Sequence, residues 1–451
     1  MNRINTFKDA IAYFESFILS SNQYTKNFRF LKLDRTYNLL KLLGNPHQEY
    51  PIIHITGTSG KGSTSMMAAA ILQEAGYKVG LHTSPHLQKV TERYLINQQL
   101  MSNDVLIQYC NKLKKIIDWI IENDIENKPS YFEILVCLAF LYFADYHVDW
   151  AVIEVGMGGR FDSTNVCNSR VSVITNIGLD HTKVLGDTIK KIVTEKMMII
   201  KPNTLAVTGV NQPSALKIVR DYAVSVNTKL LELNQDFSVN NYKLINDKNI
   251  FNYKNGKFSF DKLELSLCGQ YQAYNASLAI TTVLALKDPK INERIIRQAL
   301  NQIYFPGRME QLKLFGKNII MDGAHNPMKM QALSNTLVKL FPKQKMPIFF
   351  CAKYDKDMTA MIKNLLPIAS EFIITSFSAL IDSGKNVMAS KENIYKAIRK
   401  IDKNIKISKI DMQQIPDIIK SLKNDNIIIT GSLYFIGEVR NVLRLSWHSH
   451  N

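Results

Sequence analysis

Apolar residues along this chain recur at two spacings. Short runs rich in Val and Ile, such as Pro51–Thr56, Asp149–Val155 and Val171–Ile177, alternate with stretches where apolar residues return every three or four positions, as Met66, Met67, Ala70, Ile71 and Ala75 do. Between about Ile52 and Gly209 this alternation predicts a mostly parallel, doubly wound sheet. The longest apolar run, Ile134 to Ala144, lies between Glu133 and Asp145. It is too short to cross a bilayer and predicts a buried helix.

From about Lys229 to Leu267 polar and apolar residues alternate singly, and Asn255-Gly256 separates two aromatic segments, Phe251–Tyr253 and Phe258–Phe260. A small antiparallel insertion built on hairpins is expected there. Tyr304-Phe305-Pro306-Gly307-Arg308 has the composition of a turn. Strand patterns then restart at Asn318–Met321, Pro347–Phe350, Phe372–Thr375 and Ile427–Thr430 with helical patterns between them. The expectation is an α/β protein of two domains: residues 1–302, and a smaller Rossmann-like domain at 303–451.

Composition narrows the class. A chain of 451 residues, 46% of them hydrophobic, can bury at least one large core, and its length suggests two or three domains. Five scattered cysteines, odd in number and without a CxxC pair, predict reduced thiols in the cytoplasm. The first nine residues lack the apolar stretch of a secretory signal. A formal charge of +17, from 56 basic and 39 acidic residues, favours anionic partners without choosing among them. The lysines are dispersed rather than blocked, which a solvated surface explains equally well.

Candidate chemistry clusters where strands end. Gly57-Thr58-Ser59-Gly60-Lys61-Gly62-Ser63 follows the first strand and opens a helix. Backbone N–H groups in such a turn, backed by the helix dipole and the Lys61 charge, cradle phosphate. The strict Walker pattern is not met, since Ile55 stands at its first glycine and Gly62 separates Lys61 from the hydroxyls of Ser63 and Thr64. An exposed, glycine-built loop is expected. Glu154 ends the next strand run, and Asp180-His181 follows another, so carboxylate and imidazole emerge at the sheet edge where ligands of open α/β sheets bind. Taken alone, His181 reads equally as a structural residue. Asp322–Pro327 closes a later strand and suits either ribose and phosphate contacts or a helix cap. Arg308, in the linking turn, is within reach of a nucleotide phosphate or of solvent.

The order of these segments resembles the folylpolyglutamate synthase and dihydrofolate synthase family, a branch of the Mur ligases. Thr56–Ser63, Thr83–His86, Glu154–Gly159, Gly178–His181, Glu195-Lys196, Gly269–Asn275, Pro306–Arg308, Asp322–Pro327, Asp355–Asp357 and Thr430–Tyr434 carry the resemblance over nearly the whole chain. It implies an ATP- and magnesium-dependent amide ligase. A carboxylate of a folate or dihydropteroate takes the γ-phosphoryl group, and the amine of L-glutamate displaces phosphate. By the same likeness Gly57, Thr58, Ser59, Gly60, Lys61, Gly62 and Ser63 hold phosphates, and Asn275, Arg308 and Asp322 hold the rest of ATP. Ser84, Glu154 and His181 hold one magnesium, a carbamylated Lys196 helps hold another, and Lys61, Lys196 and His325 serve the chemistry. Arg160, Phe161 and Ser432 face the substrates.

The chain departs from the family pattern in places. Ser59 replaces an Asn, Tyr271 a His, and Met197-Met198 an Ala-Gly pair, while Ser376–Leu380 lacks a Pro-Arg-Ala segment. Two other readings share some of these motifs: a Mur-type ligase acting on a cell-wall UDP-sugar, and a basic P-loop ATPase on nucleic acid. The lead-in Phe28–Arg35 favours folate, and no aromatic and basic interleaved stripe supports nucleic acid. A cytoplasmic monomer with neither nucleic-acid nor membrane partners is the expectation.

Overall fold

The Val/Ile runs become the centre of an eight-stranded sheet. The computed structural model describes residues 3–18, 33–381 and 384–447; Phe28–Lys32 of the lead-in lies outside the described residues. The strands are β1 (Ile52–Thr56), β2 (Val79–His82), β3 (Tyr94–Ile96), β4 (Gln99–Leu100), β5 (Trp150–Glu154), β6 (Val171–Ile174), β7 (Leu205–Thr208) and β8 (Lys229–Glu232), in the order β4-β3-β2-β5-β1-β6-β7-β8. Strands β2, β5, β1, β6, β7 and β8 run parallel, and β3 and β4 turn antiparallel at one edge. Helices cover both faces, so β1, β2 and β6 are buried throughout and read as unbroken apolar runs. Strand β6 stops earlier than its sequence pattern suggests, because Thr175 leaves the run to donate its hydroxyl to Ser59 O at 2.6 Å.

Two expectations change. Lys229–Glu232 pairs in parallel with β7 rather than opening the antiparallel insertion, since the helix Pro213–Ser225 provides a crossover. The insertion proper is β9 (Phe237–Ile245), β10 (Lys248–Asn255) and β11 (Ser259–Leu265). Its hairpin turns at Asn255, whose side-chain oxygen accepts from Lys257 N and Phe258 N at 2.9 and 2.8 Å. Helix Lys61–Glu74 is buried from Gly62 to Leu72, not along one face. Strands β2 and β5 lie on one side of it and helices Gln270–Leu284 and Glu293–Gln302 on the other. The predicted buried helix is Tyr131–Asp145.

The second unit is a six-stranded sheet of β12 (Glu310–Leu314), β13 (Lys317–Asp322), β14 (Met346–Phe350), β15 (Ala369–Ile374), β18 (Lys406–Lys409) and β19 (Asn426–Thr430), ordered β12-β13-β19-β14-β15-β18. A separate ribbon, β16 (Ser378–Ile381) with β17 (Gly384–Val387), follows β15. Buried charges lock the two units. Glu310 accepts from Arg440 Nη1, from the Tyr304 hydroxyl and from Gly307 N at 2.8 Å, while Arg440 Nε donates to Gln88 Oε1 of the first unit at 2.9 Å. The side chains of Arg440 and Glu310 are wholly inaccessible. All five cysteines are buried and unpaired, and among the described residues no helix is long and apolar enough to cross a membrane.

Candidate active site

At the carboxyl end of β1 the chain turns sharply into helix Lys61–Glu74. Gly57 and Gly60 hold φ of 151° and 84°, values that favour glycine. A Cβ on Gly57 would fall 1.9 Å from Thr175 Oγ1, and one on Gly60 would fall 2.3 Å from Asn275 Oδ1. The segment after β6 braces the turn. Thr58 N donates to Asn176 O at 3.1 Å, Ser59 N to Asn176 Oδ1 at 2.9 Å, and Gly178 N to Thr58 Oγ1 at 2.9 Å. Gly57 and Thr58 are buried and Ser59 to Lys61 half-buried, so the loop is packed rather than exposed as expected. No side chain caps the helix at Gly60, which leaves its first N–H groups free for an anion. The hydroxyls of Ser59, Thr64 and Ser65 are buried and have no hydrogen-bond partner among the described residues.

Glu154, at the end of β5, stands beside this turn. Its Oε1 is 4.0 Å from Lys61 Nζ, and its Oε2 accepts from Ser84 N at 3.1 Å. Burial pushes its carboxyl up, and Lys61, the Ser84 amide, Arg308 and Lys329 pull it back. Lys196 donates from Nζ to Gly57 O at 3.0 Å; desolvation, with the Lys61 charge, pushes its ammonium down to about 7. Met197 turns into the apolar cluster around Ile192 and Val193, so it does not crowd Lys196. His181 has φ of 50°, and its ring makes no hydrogen bond among the described residues. It is reachable by solvent, yet desolvation between the walls pushes it down to about 4 against the pull of Asp180.

The second unit supplies the facing wall. Asp322, ending β13, accepts from Met309 N and Ala324 N at 2.9 Å each. Those bonds shape the turns that carry Arg308 and His325. Burial raises the Asp322 carboxyl, with Arg308 opposing. Arg308 stacks over Phe305, 5.4 Å from the ring centre. Ser432 is buried at the start of helix Leu433–Val442, and the Thr430 hydroxyl, two residues earlier, donates to Asp322 O at 2.8 Å. Across the seam, Lys356 Nζ lies 3.4 Å from Asp180 Oδ1. Burial alone would raise Asp180, but His181, Lys356, His325 and Lys329 hold it well below the usual carboxylate range.

The fold therefore brings Lys61, Glu154, Ser84 and Lys196 to one sheet edge, with Asn275 directly behind Gly60. Arg308, Asp322, His325 and Ser432 lie on the facing unit. Arg160 sits apart from them, its Nη1 3.8 Å from Glu195 Oε1 and its guanidinium over the exposed Phe161 ring. Of the neighbouring aromatics, Tyr131 is buried, and Phe132 lies against Gly156, where a Cβ would be 2.4 Å from its ring. Sequence reasoning missed Lys329, whose Nζ is 3.2 Å from His325 Nε2. The signal was there in the four-residue His-Lys spacing at the start of a helix. It also missed Asp162, which accepts from Met157 N at 2.8 Å and from the Thr164 hydroxyl at 2.5 Å and so fixes the loop after Glu154.

Known proteins match this chain over nearly its whole length. The Mur ligase middle domain family matches residues 55–283, and the dihydrofolate synthetase C-terminal domain family matches residues 308–445. A dihydrofolate synthase/folylpolyglutamate synthase of Bacillus subtilis is 34% identical over 91% of this chain and 95% of its own length. Among solved structures, a folylpolyglutamate synthase of Thermotoga maritima superimposes with a TM-score of 0.81 at 33% identity, covering 93% of this chain and 96% of that one. One from Mycobacterium tuberculosis, complexed with ADP, gives 0.87 at 28% identity over 98% and 99%. The two-unit fold, the packed glycine turn after β1 and these matches over nearly the full length place the chain in the folylpolyglutamate synthase/dihydrofolate synthase family of Mur-type ligases.

Proposed function

We propose that this protein is an ATP-dependent ligase joining L-glutamate to the carboxylate of a dihydropteroate or folate. The meeting of Lys61 and the uncapped helix start with Glu154 at one sheet edge carries this reading. Joining a carboxylate to a polyphosphate requires cancelling repulsion between anions. In the first step an acceptor oxygen bonds to the γ-phosphorus as the bond to the β-phosphate oxygen breaks, and ADP leaves. In the second, the glutamate amine attacks the acyl carbon, phosphate departs with its bonding electrons, and the amine proton is lost.

Lys61 and the N–H groups after Gly60 hold the transferred phosphoryl group. Asn275 and Asp322 orient the nucleoside, and Arg308 reaches a phosphate from the facing wall. Arg160 and Phe161 border the acceptor, while His325 and Ser432 lie on the glutamate side. Glu154 suits magnesium: it is a desolvated oxygen donor that, among the described residues, is met by the Ser84 amide and by Lys61 at 4.0 Å, with the Ser84 hydroxyl and His181 as the further ligands. No three His, Cys, Asp or Glu side chains converge among the described residues, which suits an ion that keeps waters and borrows phosphate oxygens. When bound, magnesium supplies charge neutralisation between acceptor and phosphate. The lowered ammonium of Lys196 favours the neutral amine, the form that adds to carbon dioxide and loses a proton to become a carbamate, an oxygen donor for a second ion.

The test is phosphate release by the purified protein. Release is expected only with ATP, glutamate and either dihydropteroate or tetrahydrofolate together, and comparing the two acceptors separates first addition from chain extension. Release indifferent to both acceptors sinks the reading.

A further inference from the structure

Two cations in the cleft have no task in the scheme above: Lys356, which pairs with Asp180, and Lys329. Lys329 lies in the first turn of helix Pro327–Leu340, where Asn326 caps its backbone N–H at 2.9 Å. Its neighbour Met328 reaches across the seam: a Cβ on Gly178 would lie 3.7 Å from Met328 Cε, and Gly178 is bonded to Thr58 of the phosphate turn. This helix start therefore faces the place where the phosphoryl group is transferred.

The partner of Lys329 is neutral. His325 Nδ1 is 3.0 Å from Gly323 O, and because a carbonyl only accepts, that nitrogen carries the proton. Nε2 then offers its lone pair to Lys329 Nζ at 3.2 Å. Desolvation and the Lys329 charge hold the imidazole well below its ordinary range, so it stays uncharged. The neighbouring lysines have carboxylates, Glu154 for Lys61 and Asp180 for Lys356. Lys329 has none within 4.0 Å among the described residues. Burial works against its ammonium, as do the charges of Lys61, Arg308 and Lys356, while the Asp180 carboxylate, already paired with Lys356, pulls the other way. An anion entering here relieves that repulsion and completes the donor set.

Three anions visit the cleft in the proposed reaction: the nucleotide, the acceptor carboxylate and the glutamate. The nucleotide phosphates belong to the wall of Lys61 and the helix Lys61–Glu74. The amino acid approaches the acyl carbon from the other side and brings two carboxylates that need cations. We propose that Lys329 binds a carboxylate of the incoming glutamate and holds its amine toward the acyl phosphate. His325 acts through Lys329, aiming the ammonium. This inference rests on the ligase reading.

Steady-state kinetics of Lys329→Met and Lys329→Arg against wild type test it. Loss of one charge-assisted contact predicts a KM for glutamate about 10- to 100-fold higher in Lys329→Met. The KM for ATP and kcat at saturating glutamate should stay within about threefold, the pattern of a lost binding contact. Lys329→Arg should recover most of the affinity. An unchanged KM for glutamate in a folded variant overturns the inference, as does a KM for ATP rising in step with it. If Lys329→Met does not fold, Lys329→Gln serves the same measurement. Wild-type protein that fails to release phosphate with all three substrates overturns the ligase reading instead, before any variant is made.

Discussion

The walls of the cleft are prepared for anions in opposite ways. On the first, the Gly57–Lys61 turn offers backbone N–H groups and is held by bonds to Asn176 and Gly178, so its geometry exists before any ligand arrives. On the second, the half-buried Arg308, Lys329 and Lys356 bring side-chain charges to the cleft, and Lys329 has a neutral imidazole at hydrogen-bond distance and no carboxylate within 4.0 Å among the described residues, although Asp180 attracts it from farther away. A backbone cradle costs little to leave empty, because peptide dipoles do not carry net charge. An ammonium held partly out of water is costly until its counterion comes. Preorganisation and stored repulsion thus face each other across the seam.

Three measurements sharpen this contrast. The Arg440–Glu310 pair is the control for a buried charge that does have its partner. Arg440→Met should lower unfolding free energy by about 3–5 kcal/mol in a urea titration, because it strands the Glu310 carboxylate. A loss under about 1 kcal/mol would mean that water reaches the carboxylate after all. Lys61→Ala comes next, with phosphate release down by about 10²- to 10³-fold and an unchanged melting temperature, since its side chain reaches into the cleft while the packed turn is held by other residues. Unaltered turnover would remove Lys61 from the phosphate cradle.

The smallest effect concerns Lys329 without ligands. Its ammonium is pushed from 10.5 down to about 7. Between those values the unfolded chain keeps a proton that the folded protein has released, so folding stability contributed by this group rises with pH across that window and is lowest below it. Lys329→Met should therefore melt higher than wild type at pH 6.5, and the gap should narrow by pH 9 and close only near pH 10.5. Parallel melting curves across this range would show that the ammonium is already compensated.

Legibility in the sequence followed how locally each feature is encoded. The parallel strands showed because burial on both faces makes them continuous apolar runs, and the glycine turn between β1 and its helix showed because seven consecutive residues build it. Strand ends at Glu154 and Asp322 were visible for the same reason. Lys229–Glu232 was misplaced because an edge strand carries only a half-buried pattern, which resembles a strand of the antiparallel insertion. The amphipathic reading of helix Lys61–Glu74 missed its second buried side, which appears only once helices Gln270–Leu284 and Glu293–Gln302 pack over it. Lys329 went unnoticed because one lysine among 56 basic residues looks like surface, and only its distance to His325 and to the opposite wall distinguishes it.

What the chain determines by itself is the set of elements and the chemistry at their ends, since both depend on neighbours within one turn or one strand. Tertiary structure alone decided which charges share a space. Asp180 and Lys356 are 176 residues apart and Glu310 and Arg440 are 130 apart, and the energy of each pairing depends on distance and on excluded water rather than on order along the chain. The same physics turns Lys329 and the nearby His325 toward the opposite wall, where Met328 approaches Gly178, a juxtaposition that exists only when both walls are folded.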